Sequence, residues 1–233
     1  MARYEKALKA PEGGIVIVGP TGSGKSTTLY TTLELIKTPE RKVYTVEDPI
    51  ERKIAGIIQT EVKPTIGLTF AQALRSLVRA DPDVYMIGEF SDLEKAEMAT
   101  DSAVTGHQVF STLHTTDATQ TINRVLSFYP PHQQGDVRFS LANALQAVIS
   151  LRLVPRADRG GRIPACEVLI NTAAVSDQIR DMSKSLNIPD LIREGTVQYG
   201  MQSFDQSLMN WYSKGVISYE SALFYATSPS EFA

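Results

Sequence analysis

Residues 15–26 read IVIVGPTGSGKS, and the last eight of them, Gly19 to Ser26, fit the pattern G-x-x-x-x-G-K-[ST]. That pattern carries chemistry only where a strand runs into it and a helix runs out of it. Both neighbours are present: IVIV (15–18) is an apolar, β-branched run, and KSTTLYTTLELIK (25–37) reads as a helix. Gly19, Gly22 and Gly24 let the backbone turn tightly and aim its N–H groups inward, and the helix start adds a favourable dipole. The ligand such a cradle suits is a phosphate chain. Lys25 can then reach the β and γ phosphates, and the Ser26 hydroxyl can ligate Mg²⁺. Gly19, Thr21, Gly22, Ser23, Gly24, Lys25, Ser26 and Thr27 are the candidate nucleotide contacts.

Outward from this loop, short apolar runs alternate with helical patterns, which predicts an α/β fold with a mainly parallel sheet. Further strands are expected at KVYTV (42–46), VYMI (84–87), QVFSTL (108–113) and RIPACEVLI (162–170). The helical stretch 69–82 places Phe70, Ala73, Leu74, Leu77 and Val78 on one apolar stripe, with Pro82 as a stop. From about residue 117 helices dominate: one over ATQTINRVLSFY, then a long one through Val137, Leu141, Leu145 and Val148. Farther on, SFDQ (203–206) reads as a capping box and Gly215 as a helix stop. Residues 1–155 are read as the α/β core and 156–233 as a mostly helical extension of the same domain.

Ligands of an open parallel sheet sit beyond the carboxyl ends of its strands. Here the first strand ends in the glycine loop, the second in Glu47-Asp48, the third in Gly88-Glu89 and the fourth in His114. A solvated acidic turn would explain VEDPIE (46–51) alone, but not four strand ends that offer a phosphate cradle, two sets of acid and a histidine. An acid beside a γ phosphate orients the attacking water or holds the magnesium shell. Arg75 and Arg79 lie i, i+4 on one helix face, where like charges repel; they are either solvated near Asp81 or Asp83 or in contact with nucleotide or another subunit.

Composition narrows the classes. With 233 residues and 42% hydrophobic content the chain can bury a sizeable core. Its net charge of −3 gives no global basic field for nucleic acid or an anionic membrane. The single cysteine, Cys166, cannot form an internal disulfide, and the three histidines have no zinc-site spacing, which fits a cytoplasmic setting. No apolar run approaches the ~18 to 20 residues of a membrane span, so direct membrane insertion is not expected.

Four boxes in order, GPTGSGKSTTLY, VEDPIE, LRSLVRADPDVYMIGE and TGHQVFSTLHT, resemble the motor ATPases of type II secretion systems and type IV pili. GRIPACEVLI and GMQSFDQSL extend the likeness over nearly the whole chain. The resemblance implies a RecA-like fold, ATP and Mg²⁺ as ligands, a homohexameric ring, and movement of an inner-membrane platform protein by a cytoplasmic motor held at that membrane through its partners. It also implies roles: Lys25 and Ser26 on phosphate and magnesium, Glu47 as general base, Glu89 in the metal shell, and His107 and His114 as the γ-phosphate sensor. Gly88 stands where many phosphate-loop enzymes carry a magnesium-holding aspartate.

Three features depart from the pattern. Ser91 occupies a place where the family usually has arginine, and paired CxxC motifs are absent, as in the retraction branch, whereas VEDPIE, GLTF and TTLY look more like the assembly and export branch. The family also has a preceding domain, and only about fourteen residues precede the first strand here, so a motor core alone is expected, cut short or naturally short. Besides the motor, two readings remain open: a nucleotide-binding regulatory subunit with weak hydrolysis, and a RecA-like nucleic-acid motor. The acidic charge and the lack of a basic stretch interleaved with aromatics oppose the last.

Overall fold

A computed structural model of the chain describes residues 4–181 and 187–232. Seven strands, β1 Gly13–Val18, β2 Val43–Glu47, β3 Ile58–Glu61, β4 Val84–Ile87, β5 Gln108–Leu113, β6 Leu145–Pro155 and β7 Arg162–Ile170, form one sheet in the order β3-β2-β4-β5-β1-β6-β7. All neighbours pair in parallel except β6 and β7, an antiparallel hairpin running from Ala147↔Ile170 to Pro155↔Arg162. The helices are α1 Glu5–Leu8, α2 Lys25–Ile36, α3 Phe70–Val78, α4 Leu93–Val104, α5 Ala118–Ser127, α6 Gln134–Ala144, α7 Ala173–Arg180, α8 Ile188–Glu194, α9 Phe204–Ser213 and α10 Tyr219–Tyr225. This is the mainly parallel, helix-flanked α/β architecture that the alternating pattern predicts.

The reason β1 is apolar throughout is that both of its faces are covered. Ile15 and Ile17 point into a cluster with Leu29 and Leu33 of α2, while Val16 and Val18 point into a second cluster with Ala99 of α4 and Ile122 of α5. A period of two thus splits one strand between two cores. Burying such a side chain contributes about 1.5–3 kcal/mol. The central position of β1 therefore fixes the glycine loop, which leaves its carboxyl end.

Two local predictions hold in detail. Ser203 and Gln206 exchange hydrogen bonds as a capping box at the start of α9, Gln206 N donating to Ser203 Oγ (3.2 Å) and Ser203 N to Gln206 Oε1 (3.0 Å). Gly215 follows that helix with φ +66°, the left-handed conformation that ends helices. On α3, Ala73, Leu74 and Leu77 are buried with Phe70 packed alongside; the side chain of Val78 lies outside the described residues.

The long helix expected through Leu145 and Val148 is corrected. Helix α6 stops at Ala144, and Leu145 begins the eleven-residue strand β6. A spacing of four satisfies a strand's period of two almost as well as a helix's 3.6, so Val137, Leu141 and Leu145 could not mark the change. Asn171 secures the junction, its Nδ2 donating to the carbonyls of Ala142 and Leu145 at 2.8 Å each. The half-exposed edge strand β3 has no apolar run to announce it. The boundary expected near residue 155 falls at the tip of the β6–β7 hairpin, and β7 belongs to the main sheet.

Candidate active site

The carboxyl ends of β1, β2, β4 and β5 open into a cleft of about 530 Å³. Its floor is the glycine loop. Gly24 takes φ +93° and Gly19 φ +148°, and a side chain on Gly19 would come within 2.6 Å of the Leu151 carbonyl, so the loop needs glycine at both places. Helix α2 begins with no side-chain cap and no acid in its first turn, whereas Thr69, Asp92, Asp117 and Ser203 each cap the helix that follows them. Uncapped N–H groups facing a cleft are an anion site awaiting phosphate-like oxygens.

Thr21, Gly22, Gly24, Lys25, Ser26 and Thr27 all line the cleft, and Ser23 is buried beneath it against Gly19. Lys25 Nζ donates to the carbonyls of Gly19 (2.7 Å) and Pro20 (3.1 Å) and lies 3.4 Å from His114 Nδ1. On the far side of that imidazole, His114 Nε2 is 3.5 Å from Glu89 Oε2. Partial burial lowers the Lys25 pKa, and the charge of Glu89 works against that shift. The loop, β4 and β5 thus bring a cation, an imidazole and a carboxylate into one row. Gly88 sits so close to β2 that a Cβ there would lie 3.3 Å from the Val46 carbonyl. Close strand approach accounts for glycine at the place where an aspartate would otherwise reach for metal.

Glu47 and Glu51, the two ends of the acidic box, are placed in opposite ways. Glu47 is buried at 4% exposure, and its carboxylate accepts hydrogen bonds from three side chains: Tyr30 OH, Thr45 Oγ1 (2.6 Å) and Gln59 Nε2 (2.9 Å). Glu51 is exposed in the cleft, and its Oε1 accepts a hydrogen bond from Ser26 Oγ at 3.0 Å. Both acids line the cleft: Glu47 is the acid singled out by sequence, and Glu51 is the one that hydrogen-bonds the loop.

The two histidines separate. His114 lies in the cleft, but His107 precedes the other end of β5, roughly 23 Å away at a rise of about 3.3 Å per residue. There its Nδ1 meets the Ser102 carbonyl at 3.1 Å and its ring packs edge-on against Tyr85. His107, expected beside the γ phosphate, therefore lies outside this cleft, and its contacts are with the α4–β5 turn. Arg75 and Arg79 lie outside the cleft lining, and Arg75 Nη2 pairs with Glu94 at 3.7 Å. At Ser91 the hydroxyl receives Lys95 Nζ, an ammonium brought from one turn along α4.

Among the cleft residues that the sequence reading missed are Glu51, Tyr30 and Arg162. Glu51 stood in the quoted box without a role. Tyr30 had a usable signal, since it lies i+4 from Ser26 on the helix leaving the loop. Arg162 had none: the β6–β7 hairpin delivers it to the cleft from 137 positions after Lys25 (162 − 25).

A family model described as Type II/IV secretion system protein matches residues 1–203. The chain belongs to that family. It is 40% identical over 235 residues to the type IV pilus retraction ATPase PilT of Pseudomonas aeruginosa, an alignment covering 98% of this chain and 67% of the relative. Type II secretion system protein E of Xanthomonas campestris is 48% identical over 158 residues, 68% of this chain and 27% of that one. Among solved structures, the pilus retraction motor PilT with bound ADP superposes with a TM-score of 0.84 at 37% identity, over 97% of this chain and 64% of the other. The chain therefore spans from about a quarter to two thirds of these relatives' lengths. Family membership and the motor-ATPase fold rest on both kinds of likeness. Among the described residues no helix is long and apolar enough to cross a membrane.

Proposed function

We propose that this chain is the ATP-hydrolysing motor core of a type II secretion or type IV pilus machine. In that role it works in the cytoplasm within a homohexameric ring and moves an inner-membrane platform protein. The observation that carries the reading is the convergence on one cleft of the glycine loop, the Lys25–His114–Glu89 row and the Ser26–Glu51 hydrogen bond. The ADP bound to the similar PilT motor supports nucleotide as the ligand class.

The division of labour follows from exposure and partners. Loop N–H groups and Lys25 hold the phosphates, and His114 stands where it can sense the γ phosphate and pass its presence to Glu89. The oxygen donors Ser26 and Glu89 fit a Mg²⁺ ion, which takes one or two protein groups plus phosphate oxygens and needs no all-protein cage. Magnesium, when bound, would neutralise charge that develops on the phosphates. Glu51, exposed beside Ser26, is our choice for orienting the attacking water. Glu47, its oxygens already taken by three donors, serves as the buried anchor of that segment. Arg162 adds a cation to the cleft lining.

The regulatory-subunit reading leans on the missing arginine at Ser91. Lys95 returns a positive charge to that point, which favours a hydrolysing motor. The test is phosphate release from ATP by the wild-type chain and by Glu51→Gln. Release by the wild type that falls by ~10² or more in the variant, with nucleotide still bound, supports the motor reading. ATP binding with no release from either protein, at concentrations where light scattering shows assembled rings, supports the regulatory one.

A further inference from the structure

Glu51 is held at two points by one helix. Its carboxylate accepts from Ser26 Oγ at 3.0 Å, and its backbone N–H donates to Tyr30 OH at 3.2 Å. Ser26 and Tyr30 are one turn apart on α2, so the helix that carries the phosphate loop also fixes both ends of this residue. Tyr30 OH in turn donates to the buried Glu47, so the phenol cannot rotate its acceptor lone pair freely. Glu47 is fastened by Thr45 and Gln59, and Gln59 Oε1 accepts from Ile54 N (2.7 Å) while its Nε2 also donates to the Arg52 carbonyl (2.9 Å). The Tyr30 ring is backed by the Arg52 guanidinium, 5.5 Å from its centroid, which pairs with Glu34 at 3.0 Å. Burial, and then the bond to Glu47, push the Tyr30 phenol up to about 12, so the hydroxyl stays protonated and donating at any working pH.

We propose that Tyr30 is a positioning residue for hydrolysis: anchored on buried Glu47, its hydroxyl fixes the backbone of Glu51 so that the Glu51 carboxylate faces Ser26 and the phosphate loop. The inference rests on Glu51 being the water-orienting acid. It adds a connection between the interior of the α2–β2 layer and the reacting end of the cleft. A purely structural Tyr30–Glu47 bond would stabilise the fold without regard to the Glu51 amide. The geometry here commits the phenol's acceptor capacity to that amide.

Tyr30→Phe removes the hydroxyl and keeps the ring. We expect single-turnover hydrolysis to slow by about 10- to 10²-fold, as misplacement of a reacting group does, while ATP affinity stays at the wild-type value. In a Glu51→Gln background the same substitution should cause no further slowing, because Tyr30 acts through Glu51. Amide exchange supplies a readout independent of turnover: the Glu51 N–H should lose protection in Tyr30→Phe while the amides of β2 keep theirs. Glu47→Gln, which still offers Tyr30 an acceptor, should hydrolyse faster than Glu51→Gln and covers the case in which Tyr30→Phe does not fold. Unchanged Glu51 protection, additive losses in the double variant, or equal losses in Glu47→Gln and Glu51→Gln would each overturn the proposal. If Glu51→Gln itself hydrolyses ATP normally, it is the reading of Glu51 that fails. If Glu51→Gln is slow and Tyr30→Phe is not, Tyr30 alone is misassigned.

Discussion

Replacing Lys25 with alanine separates nucleotide binding from folding. In the structure the ammonium bonds two carbonyls of its own loop, and the Glu89 carboxylate lies behind the His114 ring. Among the described residues no buried ion pair depends on it, and the residue is half-buried, so its loss removes two loop bonds that water can replace. A change within about 1 kcal/mol in unfolding free energy follows, since surface polar substitutions cost little. Binding is another matter. Hydrogen bonds to charged groups contribute about 1.5–3 kcal/mol each, and Lys25 is placed to give one to each of two phosphates, so about 3–6 kcal/mol should be lost. That corresponds to a Kd raised by roughly 10² to 10⁴. Titration calorimetry with ATP and Mg²⁺ measures the affinity, and thermal unfolding without nucleotide measures the fold. An unchanged Kd would refute the assignment of this loop. A collapse of Tm with the lost binding would show that Lys25 serves the fold.

Other outcomes follow from the same geometry. Glu89→Gln should weaken the Mg²⁺ dependence of nucleotide affinity, read by titration with and without the metal, whereas Glu51→Gln should leave it intact. Turnover per chain should rise with protein concentration as rings assemble, because arginines supplied in trans contribute about 10³ to 10⁵ in phosphate-loop enzymes; equally brisk phosphate release from a species that light scattering shows to be monomeric would contradict this. Glu167, buried between Ala118 N (2.8 Å) and Ser150 Oγ (2.9 Å), has its pKa raised above the ordinary 4.5 by burial, which outweighs the opposing hydrogen bonds from Ala118 and Ser150. The folded state therefore holds the proton to higher pH than the unfolded chain does, and stability falls as pH rises from about 4.5 through the folded pKa. Glu167→Gln, which keeps the acceptor, should be more stable than wild type at neutral pH, and the gap should narrow as pH falls toward 4.5 in denaturant titrations.

The loop, its strand and its helix were legible because local sequence dictates them: the glycines meet backbone demands and Lys25 and Ser26 sit at fixed offsets. Strand ends β2, β4 and β5 were legible because apolar runs stop at polar residues. What could not be read was set by contacts distant in sequence. The turn from α6 into β6 hides behind a four-residue spacing that both structures satisfy. His107 and His114 looked alike as flanks of QVFSTL, yet a strand puts its two ends far apart, so only one can reach the loop. Glu47 and Glu51 were equally acidic in the string VEDPIE; which of them faces water depends on Tyr30, Thr45 and Gln59 closing over the first.

The most direct test of the account is a structure of the chain with a non-hydrolysable ATP analogue and Mg²⁺. The analogue's phosphates should lie on the 19–26 loop with Lys25 turned onto them, Ser26 Oγ on the metal, Glu51 facing the γ phosphate and Glu47 still bonded to Tyr30. Phosphates bound elsewhere, or Glu47 freed toward the γ phosphate with Glu51 turned to solvent, would contradict it.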